Sequence, residues 1–234
     1  MMELIYHGHS CVQIVTEGKS IVIDPFLRGN PIAVTKPEDI QAQYVLLTHA
    51  HNDHILDAPA IAQANDATIV AVVELADYLS GRGLNSIGMN LGGTVDLGFA
   101  KAKMVPALHS SGITLEDGSS IYGGVPAGFL IQAEGLTVLH AGDTALFSDM
   151  KLIGDRHPID IALLPIGDHF TMGPDDALLA AQWFGAKLVI PVHYNSFPPI
   201  RQDAESFVAR LKAQEQRGKV LAPGERISVK AGEL

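Results

Sequence analysis

Four short apolar runs in this chain end in a histidine or an aspartate. "YVLLT" (44–48) is followed by His49, His51, Asp53 and His54, and "AKAKMVPAL" (100–108) runs into His109. "LTVLHA" (136–141) leads into Gly142 and Asp143, and "KLVIPV" (187–192) into His193. Runs of this length read as strands buried in a sheet. A strand end is where a rigid sheet holds side chains beside a crevice.

The rest of the pattern fits that reading. "ELIYHG", "CVQIVTE" and "SIVIDP" are strand-like, with a hairpin turn at "EGKS", and residues 27–40 form a loop bearing Pro and Gly. Helices are expected in "DAPAIAQAN", "ELADYLSGRG" and "FSDMKLIG", with the strands "TIVAV", "AGFLIQAEG" and "IDIALLPIG" among them. In "GPDDALLAAQWFG", Pro174 stands at a first helical position, acids fill the first turn and Gly185 follows the end. Ala204, Phe207, Val208 and Leu211 recur at helical spacing, which predicts one buried face in "DAESFVARLKAQEQRG". Two strands are expected to close the chain, and the Gly-rich segment 80–125 has no readable element beyond the strand at 100–108. No polar linker and no repeat interrupts residues 1–234, so one domain is expected, of stacked sheets covered by helices.

Composition removes several classes of function. Apolar residues make up 47% of the chain and charged ones only 18%, which excludes a disordered protein. No apolar run is long enough to span a bilayer, the start "MMELIYHGHSC" lacks a signal peptide's basic and apolar regions, and Cys11 has no partner for a disulfide. A soluble, cytoplasmic protein without membrane attachment is the expectation. Acidic residues outnumber basic ones 26 to 16, and the basic ones form no run, a poor footprint for nucleic acid.

Imidazole and carboxylate are the ligand types of zinc and similar divalent ions. His49 and His51, two apart at an extended strand end, point the same way and can chelate one ion. Asp53 and His54 lie beyond, where the chain turns, and can face a second ion; Asp53 alone also reads as a helix N-cap. No G-x-S-x-G is present, and Cys11 has no evident activating partner, so no competing nucleophile emerges.

"THAHNDH", the lone His of "PALHSS", the Asp of "HAGDT" and the His of "PVHY", in that order, resemble the motifs of the metallo-β-lactamase superfamily. "YHGHSCVQI", "IDPFL", "LLPIGDHFTMGP" and "IPVHYNSFPPI" further resemble small bacterial hydrolases related to ascorbate-6-phosphate lactonase. The resemblance implies an α/β fold, a four-layer αβ/βα sandwich of two mixed sheets flanked by helices. It implies two divalent metal ions, zinc first with manganese or iron as alternatives. His49, His51 and His109 would hold one ion, Asp53, His54 and His193 the other, and Asp143 would bridge them. The implied reaction is hydrolysis of a small-molecule ester, lactone, thioester or phosphodiester by a metal-bridged hydroxide that Asp53 orients. The alternatives are a nucleic-acid phosphodiesterase, which this compact acidic chain disfavours, and a non-catalytic metal-binding or sensor protein.

His9, Ser110 and His169 are candidate substrate contacts, with hairpin packing against Cys11 an equal reading for His9 and a turn for the "HSSG" serines, Ser111 included. Asp168 is expected to hydrogen-bond a ligand imidazole. His140 and His7 read as structural and His157 as a surface-loop residue. Homo-oligomerisation is compatible with the resemblance.

Overall fold

Along residues 127–133, Phe129 and Ile131 face one hydrophobic cluster while Leu130 faces another. The same split separates Val138 from Leu139, Ile161 and Leu163 from Ala162 and Leu164, and Ile190 from Val189. Successive side chains of a strand point to opposite faces, so these strands are covered on both sides. A sheet of this kind must lie in the middle of a layered structure.

The computed structural model, which describes residues 1–234, has that arrangement. The first sheet has seven strands in the spatial order β15 (Arg226–Val229), β1 (Met2–Gly8), β2 (Cys11–Thr16), β3 (Lys19–Ile23), β4 (Tyr44–Leu46), β5 (Thr68–Val72) and β6 (Ser86–Met89). It is antiparallel from β15 to β3 and parallel from β3 to β6. The second sheet has six, in the order β14 (Leu188–Val192), β13 (Ile161–Pro165), β12 (Leu136–His140), β11 (Ala127–Ala133), β8 (Lys101–Pro106) and β7 (Thr94–Asp96). Its parallel half runs from β14 to β12 and the remainder is antiparallel. A separate hairpin joins β9 (Gly112–Thr114) to β10 (Ser120–Tyr122).

After the short α1 (Asn52–Ile55), helices α2 (Ala58–Asn65) and α3 (Val73–Ser80) pack on the parallel half of the first sheet. Helix α5 (Pro174–Phe184) lies on β13, flanked by α4 (Asp149–Arg156) and α6 (Ala204–Ala213). The result is the expected αβ/βα sandwich with two mixed sheets. Helix α5 begins at Pro174 and ends on Gly185 at φ 61°, as its punctuation predicts. Helix α6 is capped by the Asp203 carboxylate, which accepts from the Ser206 N–H at 2.9 Å, and it buries Ala204, Phe207 and Leu211. No helix is long and apolar enough to cross a membrane.

Two expectations fail. Only one strand, β15, closes the chain; the segment before it makes a single bridge, Gly218 to Val189. Pro223, which has no N–H to donate, and Gly224 at φ 87° then turn the chain away. The Gly-rich stretch, unreadable as sequence, supplies β6, β7, β9 and β10, three- or four-residue strands too short and too exposed to show a period.

Helix α4 meets the end of α5 through Gly154, where a Cβ would stand 2.3 Å from the Trp183 carbonyl oxygen. Replacing Gly by Ala inside a helix gains ~1 kcal/mol of propensity. Forcing a methyl into backbone costs ~1–3 kcal/mol, because the obstacle cannot rotate away. Gly154→Ala is therefore expected to lower stability by ~1–2 kcal/mol net in denaturant unfolding, and a stabilised variant would show that the two helices slide apart freely.

Candidate metal centre

All the strand-end ligand candidates meet at one edge of the sandwich, where the two sheets face each other. His49 follows β4, and the chain then passes through His51 into α1, which carries Asp53 and His54. His109 comes from the loop after β8, Asp143 from the turn after β12 and His193 from the end of β14. Gly142, at φ 65°, makes the turn that presents Asp143, and a Cβ there would stand 2.4 Å from the Ala127 carbonyl oxygen. His140 secures the same turn: its Nε2–H donates to the Ser10 carbonyl (2.9 Å) and its Nδ1 accepts from the Gly142 N–H (3.2 Å). The structural role expected for His140 is the one it has.

Ligand atoms lie mutually within 4.8 Å in three groups: Asp24, His49 and His54 form one that overlaps the other two, which are His49, His51 and His109, and His9, Asp53, His54 and His193. Asp143 lies between these last two. Its Oδ2 is 3.0 Å from His193 Nε2 and 3.2 Å from His54 Nε2 on one side, and 3.7 Å from His109 Nε2 and 3.9 Å from His49 Nε2 on the other. These are approaches without hydrogen-bond alignment: His54 Nε2, His193 Nε2 and Asp143 Oδ1 are buried and have no hydrogen-bond partner. Orphaned polar atoms inside a protein cost ~1–3 kcal/mol each. Lone pairs that converge on common points rather than on one another fit a divalent cation, so this donor set suits a metal.

The outer contacts fix which nitrogen of each ring faces inward. Asp24, at the end of β3, accepts from the His54 Nδ1–H at 2.8 Å and from the Thr48 hydroxyl at 2.6 Å. That hydroxyl oxygen in turn accepts from His49 Nδ1–H at 3.0 Å. Both rings therefore present Nε2 to the centre. His51 presents Nδ1, 2.9 Å from His49 Nε2, while its Nε2 meets the Ser110 hydroxyl at 3.3 Å.

His9 is fully buried, packed among Phe26, Phe197 and His193. Its Nδ1 accepts from the Ser196 hydroxyl at 2.5 Å and its Nε2–H donates to Asp53 Oδ2 at 3.2 Å. Ser110 is exposed, and Ser111 is buried, bonded to the Ala50 N–H and the Gly123 carbonyl.

His169 stands apart from the other candidates, exposed on the loop before α5 with its ring edge-on to Phe170. Asp168 also differs from expectation. It sits in a tight turn at φ 70°, exposed, and bonds no ligand imidazole; Asp24 takes that role for His54. Asp53 lies inside the first turn of α1 and is not its cap, which is His51. His7 is held between Thr35 and Gln13, and His157 follows α4, as expected. Sequence reading missed Asp24, Thr48 and Ser196; the strand-end Asp of "IDP" was the available signal for the first.

Electrostatically the two groups differ. Burial lowers His49, His51 and His109 below the ordinary imidazole value, so their lone pairs are free. Burial also pushes His9 down to about 4, and His193 adds to this, so its ring is neutral. Burial opposes a proton on His54 and His193 too, but the Asp143 carboxylate overrides it, raising His54 well above its usual value and His193 to about 9. Burial likewise favours protonated Asp143, and the facing rings of His193 and His54 overcome this and hold it ionised.

An αβ/βα sandwich with such a cluster at its edge defines the metallo-β-lactamase fold. Residues 19–194 match the family described as β-lactamase superfamily domain. A UPF0173 metal-dependent hydrolase of Geobacillus thermodenitrificans is 54% identical over 228 residues, 97% of this chain and all of the relative. YtkL of Bacillus subtilis, also named a UPF0173 metal-dependent hydrolase, is 52% identical over 229 residues with the same coverage, 97% and 100%. Among solved structures, the metallo hydrolase Igni18 of the archaeon Ignicoccus hospitalis superposes with a TM-score of 0.88 at 36% identity, covering 98% of this chain and 99% of that one. The chain belongs to the UPF0173 metal-dependent hydrolases of the metallo-β-lactamase superfamily. It is a metal-dependent hydrolase.

The protonation pattern predicts how metal-stripped protein responds to pH. His193 at about 9 lies above the 6.5 of an unfolded imidazole, so its contribution is complete below pH 6.5 and lost as pH rises toward 9. His9 at about 4 lies below 6.5, so its penalty fades as pH climbs from 4 to 6.5. Denaturant unfolding of stripped protein should show greatest stability near pH 6.5; a rise continuing to pH 9 would contradict the assignment.

Proposed function

We propose that the centre takes two divalent cations, zinc first with manganese or iron as alternatives, and that it hydrolyses a small-molecule ester, lactone, thioester or phosphodiester in the cytoplasm. The observation carrying this reading is the position of Asp143 Oδ2, within 4 Å of imidazole nitrogens from both ligand groups. His49, His51 and His109 would hold one cation and Asp53, His54 and His193 the other, with Asp143 shared. Five imidazoles and two carboxylates without a thiolate suit all three metals. Bound there, such cations supply Lewis acidity, which acidifies water and polarises the scissile group.

The protein's own contribution is order. Asp24 and Thr48 hold the rings of His54 and His49 in the productive tautomer. Among the three acids, Asp143 is 2% exposed, Asp24 is fully buried and Asp53 is 27% exposed, so Asp53 is the carboxylate that reaches solvent. It orients the attacking water and takes its proton. His9 acts on Asp53 rather than on substrate, since its one inward N–H is already donated to that carboxylate and Ser196 fixes the tautomer. Cys11 offers no rival nucleophile: it is buried, and burial pushes its thiol up. A net charge of −10 supports a small molecule over nucleic acid as substrate.

Elemental analysis after reloading with zinc should find close to two equivalents in the wild type and about one or fewer in Asp143→Ala, with turnover down at least ~100-fold. A wild type that retains none sinks the proposal. In metal titrations, His9→Ala should weaken one of two binding events by ~10–100-fold. His9→Gln, whose amide can still donate to Asp53, should recover most of that loss; equal binding by wild type and His9→Ala would remove His9 from the mechanism.

A further inference from the structure

Beside the centre, the β9–β10 hairpin and the loop that follows it wall an open cleft of about 520 Å³, lined among others by His109, Ser110, Ile121, Tyr122, Val125 and Pro126. No lysine, arginine, aspartate or glutamate lines it. Its apolar side chains are unusually bare: Tyr122 is 66% exposed, Ile121 42% and Val125 36%. One ligand side chain belongs to both places, since His109 lines the cleft and holds its Nε2 3.7 Å from Asp143 Oδ2. The cleft and the centre therefore adjoin through this imidazole.

The hairpin is fixed relative to the ligands. Gly123 N–H donates to the Ser111 carbonyl at 2.8 Å, and the Ser111 hydroxyl donates to the Gly123 carbonyl while accepting from the N–H of Ala50, between His49 and His51. These bonds join the hairpin base to both the His109 loop and the His49–His51 segment. The apolar wall is thereby a built part of the site's mouth.

We propose that this cleft is the subsite for an uncharged apolar portion, alkyl or aryl, of the substrate, so that the enzyme prefers neutral esters or lactones carrying such a group over phosphorylated ones. The inference rests on the hydrolase reading above and narrows its substrate class. A phosphate or carboxylate tail needs Arg, Lys or a row of N–H donors, and the cleft has no cationic side chain to offer. An alkyl chain gains about fourfold in binding per fully buried methylene, and less where the cleft is open. The hydroxyls of Ser110, Ser120 and Tyr122 leave room for a neutral polar group along the chain.

The test uses the zinc-reloaded full chain with p-nitrophenyl acetate, butyrate and hexanoate, and p-nitrophenyl phosphate as the charged comparison. The free acids acetate and hexanoate, and glycerol phosphate, serve as calorimetric binding probes. kcat/KM should rise at least ~5-fold from acetate to hexanoate, hexanoate should bind more tightly than acetate, and both phosphates should be poor. The double variant Ile121→Ser, Tyr122→Ser should lose most of that ratio while retaining its zinc and its melting temperature. A flat chain-length profile, tighter phosphate binding, or a variant that keeps the wild-type ratio each overturns the proposal. So does a variant whose only change is a smaller particle in light scattering, which would assign the wall to contact between copies of the chain. If no ester is turned over yet hexanoate binds better than acetate in wild type and not in the variant, the subsite stands and the hydrolysis of these esters falls.

Discussion

The centre depends on one buried carboxylate that would itself touch no metal. Asp24 is fully buried, and an ion taken out of water costs several kcal/mol unless its oxygens are bonded. Here the Thr48 N–H (2.8 Å), the Thr48 hydroxyl (2.6 Å) and His54 Nδ1–H (2.8 Å) satisfy it. The parallel pairing of β3 with β4, with Ile23 beside Leu46, brings Asp24 level with Leu47, one residue before Thr48, and makes these bonds possible. Through them one acid sets the rings of His54 directly and of His49 by way of Thr48. Ligand geometry on one segment is thus fixed by sheet register with another.

The residues of the centre are divided between the two sheets. The first brings His49, His51, Asp53 and His54 after β4 and His9 in the β1–β2 turn, while the second brings His109, Asp143 and His193. A backbone hydrogen bond from His193 N–H to the His9 carbonyl (2.9 Å), and the His140 bond to Ser10, tie the two sheets together at this edge. The inter-sheet apolar core therefore does more than stabilise the fold. Its packing sets the spacing between the two halves of the ligand set, so a shift of one sheet on the other would separate Asp143 from His54.

What could be read from the sequence was whatever repeats locally. Buried strands appear as apolar runs, the caps of α5 as Pro174 and Gly185, and the ligands as imidazoles and acids at strand ends. The features that escaped depend on partners distant in sequence or on backbone sign. Asp24 lies 24 residues before Thr48, and its strand-end place in "IDP" marks it as a site candidate without disclosing which rings it holds. His169 has the composition of a site residue, but Asp168 at φ 70° and the bond from Thr171 N–H to the Asp168 carbonyl close a turn that leaves it exposed. The expected second closing strand was lost for a similar reason, because a run of apolar residues does not disclose that the chain leaves β14 after a single bridge at Gly218.

The stretch least legible in the sequence is also the one with most freedom over substrate. Residues 112–126 contribute no ligand to the centre, and their short strands owe their place to backbone bonds and to the Ser111 clamp. Side chains at 121, 122 and 125 can therefore change without disturbing the orientation of any imidazole. Asp24, Gly142 and His140 have no such freedom, since each is bonded or wedged against backbone that positions a ligand. A centre held this way would supply the same hydrolytic chemistry to whatever the mouth admits, and on the proposed reading selectivity rests with the hairpin wall. For that reason membership of the family defines the reaction type, while the uncharged apolar wall beside His109 is the part of this chain that argues for a particular kind of substrate.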